Sequence, residues 1–141
     1  MMRDRRWILV AAMASLLLLP ACRDTASEAT EGPEPVTVEP IEGTDLSRVT
    51  LTARAAERLG IETAMVTSSA DRTMVPAAAV WIDANGEAWV YATSESLVFV
   101  REGVVVGRFD GDVAVLTDGP PIGTEVVTVG VAELIGSEFG V

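Results

Sequence analysis

Residues 75–92 read VPAAAVWIDANGEAWVYA, in which two apolar runs flank the polar tetrapeptide Asp-Ala-Asn-Gly. Asn85 and Gly86 tolerate the positive φ values that a tight connection between antiparallel strands requires. In the second run, Trp89 and Tyr91 are two positions apart, so they lie on the same face of an extended chain. This pattern predicts a β-hairpin.

Further extended segments lie on both sides of this hairpin. They are short and apolar, glycine-containing turns separate most of them, and they cover residues 48–51, 61–66, 97–101, 104–109, 113–116 and 125–129. Short strands at a spacing of roughly 8–12 residues indicate a sandwich or barrel. We therefore predict a mainly β fold over residues 46–141, a small single-domain β-barrel or β-roll of about six to seven short strands.

Local signals also predict one short helix. Thr52 is a favourable N-cap, residues 53–59 place small and apolar side chains on one face, and Gly60 suits the left-handed position after a helix. Residues 67–72 are interpreted as a polar turn. Residues 131–135 have the pattern of a single helical turn.

Residues 22–45 have the composition of a linker. They are acidic, rich in Thr, Ser, Pro and Gly, and poor in large apolar residues. So few apolar side chains do not offset the chain entropy that folding removes. We predict a disordered acidic tether of about 23 residues, with a root-mean-square reach of roughly 25 Å.

The N-terminus has the layout of a secretory signal. Arg3, Arg5 and Arg6 precede an uncharged apolar run over residues 7–19. Such a run makes a helix of only about 20 Å, which is shorter than the ~30 Å hydrocarbon core of a bilayer. We interpret residues 1–21 as a cleaved signal peptide.

Leu19, Pro20 and Ala21 precede Cys22, the only cysteine in the chain. This tetrapeptide resembles the lipobox of bacterial lipoproteins, whose cysteine is alkylated by diacylglycerol before the signal is cleaved. Pro20 departs from the family pattern, because a small or β-branched residue is commoner there. The alternative is an ordinary signal peptide with an incidental cysteine. The resemblance implies that Cys22 is lipidated and anchors the chain to the cell membrane on its extracytoplasmic face, in the periplasm or at the cell exterior.

The composition argues against most kinds of catalysis. The chain has no histidine, and all ten of its basic residues are arginine. The commonest general base, the commonest transition-metal ligand and the Schiff-base lysine are therefore missing. A lipidated Cys22 leaves no free thiol, and no serine lies in a G-x-S-x-G motif. We predict that the protein is not an enzyme and needs no cofactor.

The charge of the chain disfavours two classes of partner. The formal net charge is −11 at pH 7, with 21 acidic residues. Such a surface repels nucleic acid and anionic lipid headgroups. We predict no nucleic-acid partner and expect contact with the membrane only through the lipid.

Two small groups of residues raise the question of metal binding. Asp110 and Asp112 flank a glycine, but such a triplet between strands is more often a solvated turn, and calcium requires a denser run of oxygen ligands. Met65 and Met74 flank a polar turn, and two thioethers can bind Cu(I) or Ag(I). Methionine is also an ordinary filler of core gaps. We assign no metal ligand and leave the role of the two methionines open.

Residues 49–141 contain a series of short sequence segments that resemble those of a known family. In chain order they are VTLT (49–52), RLGIET (58–63), VPAAAV (75–80), WVY (89–91), FVR (99–101), VVVG (104–107), DGD (110–112), GTEVVTVG (123–130) and AEL (132–134). In this order they resemble the membrane-proximal domain of periplasmic adaptor subunits of RND-type efflux pumps, the membrane fusion protein family.

The chain departs from that family in what it leaves out. Full-length adaptors carry a barrel, two lipoyl half-motifs and an α-helical hairpin between the two blocks of this match, whereas only residues 64–74 separate them here. The resemblance implies a minimal adaptor with an inner-membrane efflux permease as its partner and no catalytic residue. Because membrane-proximal domains dock through strand edges and loops, residues 95–109 and 118–124 are the candidate contacts.

Three hypotheses about function follow. The first is a lipid-anchored accessory subunit of an RND-type efflux transporter that binds the extracytoplasmic face of the permease. The alternative is a ligand- or metal-binding lipoprotein that buffers or delivers cargo. A secreted enzyme is the third, and the composition disfavours it.

Overall fold

The structure is a computed structural model that describes residues 32–141. The predicted signal peptide and Cys22 lie outside the described residues. The elements in chain order are β1 (Val36–Pro40), β2 (Ser47–Leu51), α1 (Ala53–Leu59), β3 (Glu62–Met65), β4 (Thr67–Ser69), β5 (Arg72–Pro76), a 3-10 turn (Ala77–Ala79), β6 (Trp81–Ile82), β7 (Ala88–Glu95), β8 (Val98–Asp110), β9 (Val113–Asp118), β10 (Glu125–Val129) and α2 (Val131–Phe139). Neither α-helix of this part of the chain is long and apolar enough to span a membrane.

The strands pair antiparallel throughout and form one curled sheet with the shape of a half-barrel. The main path through the sheet is β3-β10-β7-β8-β9-β5-β4, and β2 joins β8 with β1 outside it. The 13-residue strand β8 connects the two parts, because its first residues pair with β2 and β7 and its last residues pair with β9. The prediction of a mainly β fold is confirmed. The strands number ten within the described residues, since very short strands such as β4 and β6 add to those that the pattern predicted.

The central strands β7 and β10 separate two hydrophobic clusters. Successive residues of a strand face opposite sides of a sheet. Val90 and Val126 therefore belong to the first cluster, with β5, β9 and the 3-10 turn. Tyr91 and Val127 belong to the second, which β2, α1 and α2 complete. All four side chains are fully buried, so neither strand presents a face to solvent at these positions.

The predicted hairpin is confirmed. Gly86 has a φ of 87°, and the Asp83 carboxylate accepts hydrogen bonds from the backbone N–H groups of Asn85 and Glu87 at 2.8 and 2.9 Å. A third bond, at 3.3 Å, comes from the indole N–H of Trp89. The backbone N–H of Glu87 makes the largest contribution to lowering the pKa of Asp83 below its usual range. The carboxylate therefore holds the loop against the strand that follows it.

Helix α1 also begins and ends where the sequence indicates. The Thr52 hydroxyl accepts a hydrogen bond from the Ala55 N–H at 3.2 Å, as an N-cap should. Gly60 follows the helix in the left-handed region, at a φ of 63°. Ala55 is buried in the second cluster, which sets the orientation of the helix.

The predicted tether is wrong over its second half. Residues Val36–Pro40 form β1, which pairs with β2 from Val36 opposite Leu51 to Pro40 opposite Ser47. Only Val36 is half-buried, and it packs against the second cluster. Because β1 is an edge strand with its other side chains exposed, its composition resembles that of a linker. Pairing through the backbone, which composition does not report, makes it a strand.

The C-terminal helix is longer than predicted. Residues 131–135 were expected to form one turn, whereas α2 continues through Gly136. Glycine in a helix interior costs about 1 kcal/mol relative to alanine. Leu134 on one side of it is fully buried, and Glu138 on the other side pairs with the buried Arg101. These tertiary contacts outweigh the local preference.

Two further segments differ from the prediction. The expected polar turn over residues 67–72 is mostly strand, because the reversal is confined to Ala70 and Asp71, whose φ values are 49° and 61°. The separate runs 97–101 and 104–109 belong to the single strand β8. Gly103 lies within it and pairs with β7 without ending it.

Candidate partner-binding groove

The structure places the two candidate contact segments as follows. Residues 95–109 cover the end of β7 and most of β8, and residues 118–124 extend from the end of β9 to the start of β10. The segments meet where Asp118 pairs with Val105. Cys22 lies outside the described residues, so its lipidation stays a prediction.

A surface groove of about 760 Å³ lies between the β6–β7 hairpin and the second half of β8. Three apolar side chains in its lining are more than half exposed, namely Ile82 (59%), Val105 (54%) and Phe109 (51%). When apolar surface is moved out of contact with water, the free energy of the system falls. Exposed apolar side chains that line a single groove make it a candidate site for contact with a partner.

Two glycines of β8 form part of the groove floor. Glycine weakens a strand, and it is common at bulges and where another backbone approaches closely. Gly107 lies at the β-bulge between Val106 and Arg108. Gly103 pairs with Trp89 outside any bulge, and a Cβ there would meet only the Trp89 ring, at 3.6 Å. The missing side chain at position 103 leaves the ring open to the groove.

The rim of the groove carries an excess of negative charge. Glu87 and Asp118 line it together with Arg108, whose guanidinium lies 3.7 Å from the carboxylate of Asp110. Glu102 does not line the groove, but it lies close to this rim: burial first, and then the nearby charge of Asp118, raises the pKa of Glu102. Arg108 is thus already paired, whereas the described ion pairs do not include Glu87 or Asp118.

A buried ion pair between Arg101 and Glu138 lies next to the groove. The Arg101 Nε donates to Glu138 Oε1 at 2.9 Å, and the two side chains are 10% and 2% exposed. The Tyr91 hydroxyl donates to Glu138 Oε2 at 2.6 Å, and Arg101 Nη2 donates to the backbone carbonyl of Asp45 at 2.7 Å. Burial, followed by the bond to Glu138, raises the pKa of Tyr91, so the hydroxyl remains a donor. The network joins β7, β8, α2 and the loop before β2.

Trp89 connects this ion pair to the groove. The guanidinium carbon of Arg101 lies 4.5 Å from the centroid of the Trp89 ring and 5.2 Å from that of Phe139. Stacking of a cation on the ring face adds to the packing that holds the ring. Trp89 also lines the groove, so the ion pair fixes one of its walls.

Met65 and Met74 are brought together, as the alternative hypothesis requires. Both line a depression of about 380 Å³, which Asp112 also borders. Met74 pairs with Thr67, and Met65 is two positions before Thr67. Met65 is 59% exposed, so it does not fill a core gap.

The remaining candidates for a metal site, Asp110 and Asp112, lie at an exposed turn. Asp110 ends β8 and Asp112 follows Gly111 in the turn to β9, which is the solvated turn that the sequence predicted. Over residues 32–141, three or more acidic, cysteine or histidine side chains do not gather in the arrangement of a metal site.

Sequence reasoning missed the ion pair, because Arg101 and Glu138 are 37 positions apart. One signal was available. Phe99 and Arg101 share a face of β8, and a charged residue on the inward face of a strand requires a buried partner. The sequence does not identify that partner.

Comparisons with models of known protein families, with curated proteins and with solved structures found no match to this chain.

Replacing Glu138 by glutamine should destabilise the fold. Glu138→Gln keeps the shape but leaves Arg101 buried without a counter-charge, so we expect the free energy of unfolding to fall by about 3 kcal/mol. The double variant Arg101→Met/Glu138→Gln should lose less than this. Urea unfolding monitored by tryptophan fluorescence provides the measurement. As a control, Glu39→Gln removes an exposed ion pair with Arg48, at 4.0 Å, and should change stability by less than about 0.5 kcal/mol.

Replacing Glu102 by glutamine should alter the pH dependence of stability. A raised pKa means that the folded state binds the proton of Glu102 more tightly than the unfolded state does. The resulting stabilisation is present below the ordinary pKa of 4.5 and is lost as the pH rises through the folded-state value. The melting temperature of Glu102→Gln, relative to that of the parent protein, should therefore rise as the pH is raised from 4 to 7. A gain of the same size in the exposed control Glu57→Gln would contradict this assignment.

Proposed function

We propose that this chain is a lipid-anchored, adaptor-like accessory subunit of an RND-type efflux transporter, and that it binds the extracytoplasmic face of the permease. The observation that supports this most directly is the groove along β8. Its exposed apolar residues Val105 and Phe109 belong to the segment that the family resemblance marks as a contact. The partner would therefore cover apolar area that is otherwise in water.

The proposed role is binding, without chemistry in this chain. The groove supplies apolar area, and its acidic rim supplies orientation. The buried pair of Arg101 and Glu138 holds the Trp89 wall in place, so little conformational freedom is lost on binding.

The lipid on Cys22 would supply local concentration. An anchored protein and a membrane-embedded partner meet at a higher effective concentration than two proteins free in solution do. The 14 peptide units between Cys22 and Val36, where β1 begins, reach at most about 50 Å. The domain would therefore stay close to the membrane surface.

Crosslinking of the full chain in native membranes tests the proposal. We expect mass spectrometry to identify one transporter permease among the crosslinked proteins. Cys22→Ala should reduce its recovery, because the anchor is lost. Val105→Asp should abolish it, because a charge enters the apolar groove. Val38→Asp, an exposed position on edge strand β1, is the matched control and should leave recovery unchanged. Recovery of other proteins in place of a permease would reject this function.

The second candidate function is a lipoprotein that binds a soft metal ion, and the shared depression of Met65 and Met74 favours it. Titration of the protein with Ag(I), monitored by calorimetry, should then show saturable binding. Met65→Leu and Met74→Leu should each weaken it at least tenfold, since one of two thioether ligands is lost. Ile122→Leu, an exposed apolar position outside the depression, is the control. The absence of saturable binding would exclude this function, and equal saturable binding by all four proteins would exclude Met65 and Met74 as the ligands.

A further inference from the structure

We infer that the groove binds a protein segment in which a short apolar run is flanked by lysine or arginine, and that Glu87 and Asp118 recognise the flanking charges. The inference rests on the proposed function in one respect, since the segment would belong to the transporter. It specifies the chemistry of that segment, which the resemblance leaves open.

The floor of the groove selects an apolar run. Ile82, Val105 and Phe109 are each more than half exposed and line the same groove. Its volume of about 760 Å³ accommodates several apolar side chains. Gly103 adds no side chain to the floor, so the backbone of a bound segment can approach the Trp89 ring.

The rim selects positive flanking charges. Glu87 and Asp118 line the groove, and the described ion pairs supply neither with a cation. The one arginine in the lining, Arg108, is within 3.7 Å of Asp110. Glu102 stands close enough to Asp118 to be affected by its charge. A cation from the partner would relieve this repulsion, whereas an acidic segment would increase it.

Other occupants fit less well. A second copy of this chain would place one acidic rim against another, and the chain has a net charge of −11. An anionic membrane surface is repelled for the same reason. The apolar floor with an acidic rim is therefore complementary to a basic amphipathic segment of a different protein.

Site-specific photocrosslinking tests the inference on the full lipid-anchored chain in native membranes. Val105 is replaced by a photoreactive phenylalanine, and the partner peptide in each adduct is sequenced by mass spectrometry. We expect an apolar run with lysine or arginine within a few residues on both sides. In the same background, Glu87→Gln/Asp118→Asn should lower adduct yield about threefold and flatten its decrease with added salt. The exposed pair Glu57→Gln/Glu125→Gln lies outside the groove lining and should leave both unchanged.

The outcomes separate this inference from the proposed function. A permease crosslinked through a neutral or acidic segment would overturn the inference and leave the function standing. A protein other than a transporter, crosslinked through a segment flanked by basic residues, would do the reverse. An adduct with lipid or with a second copy of the chain, equal losses in both double variants, or no adduct at all would overturn the inference.

Discussion

The buried ion pair between Arg101 and Glu138 is the constraint on which the rest of this structure depends. Two charges removed from water are tolerated only when their hydrogen-bonding capacity is met. Here Tyr91 and the carbonyl of Asp45 complete the network, at 2.6 and 2.7 Å. Because these groups lie on β7, β8, α2 and the loop before β2, the pair requires all four segments to be in place together. It explains why α2 continues past Gly136 instead of ending there.

The groove depends on this arrangement and on the length of β8. That strand has 13 residues and belongs to both parts of the curled sheet, so its second half extends away from the second cluster. Trp89 stacks on Arg101 with one face and contributes to the groove wall. The Trp89 wall is therefore held by contacts that do not involve a partner. Its acidic rim belongs to a chain with a formal net charge of −11, so the charge of the rim has the same sign as that of the whole chain.

Local sequence signals predicted much of the secondary structure. The Asn85-Gly86 turn and the Thr52 cap were predicted correctly, because each depends on the φ preferences or hydrogen-bonding groups of a few adjacent residues. The edge strand β1 was not predicted, since its exposed side chains resemble a linker and its order comes from backbone pairing with β2. The same limit applies to the groove: the family resemblance made residues 95–109 a candidate contact segment but did not show which of its side chains are exposed.

The sequence by itself determined the mainly β class and the position of the central hairpin, because strand periodicity and turn chemistry are readable residue by residue. Tertiary structure decided the pairing of Arg101 with Glu138 and the groove beside Trp89. These features join residues that are distant along the chain. Their energies come from desolvation and packing, which exist only once the chain has folded.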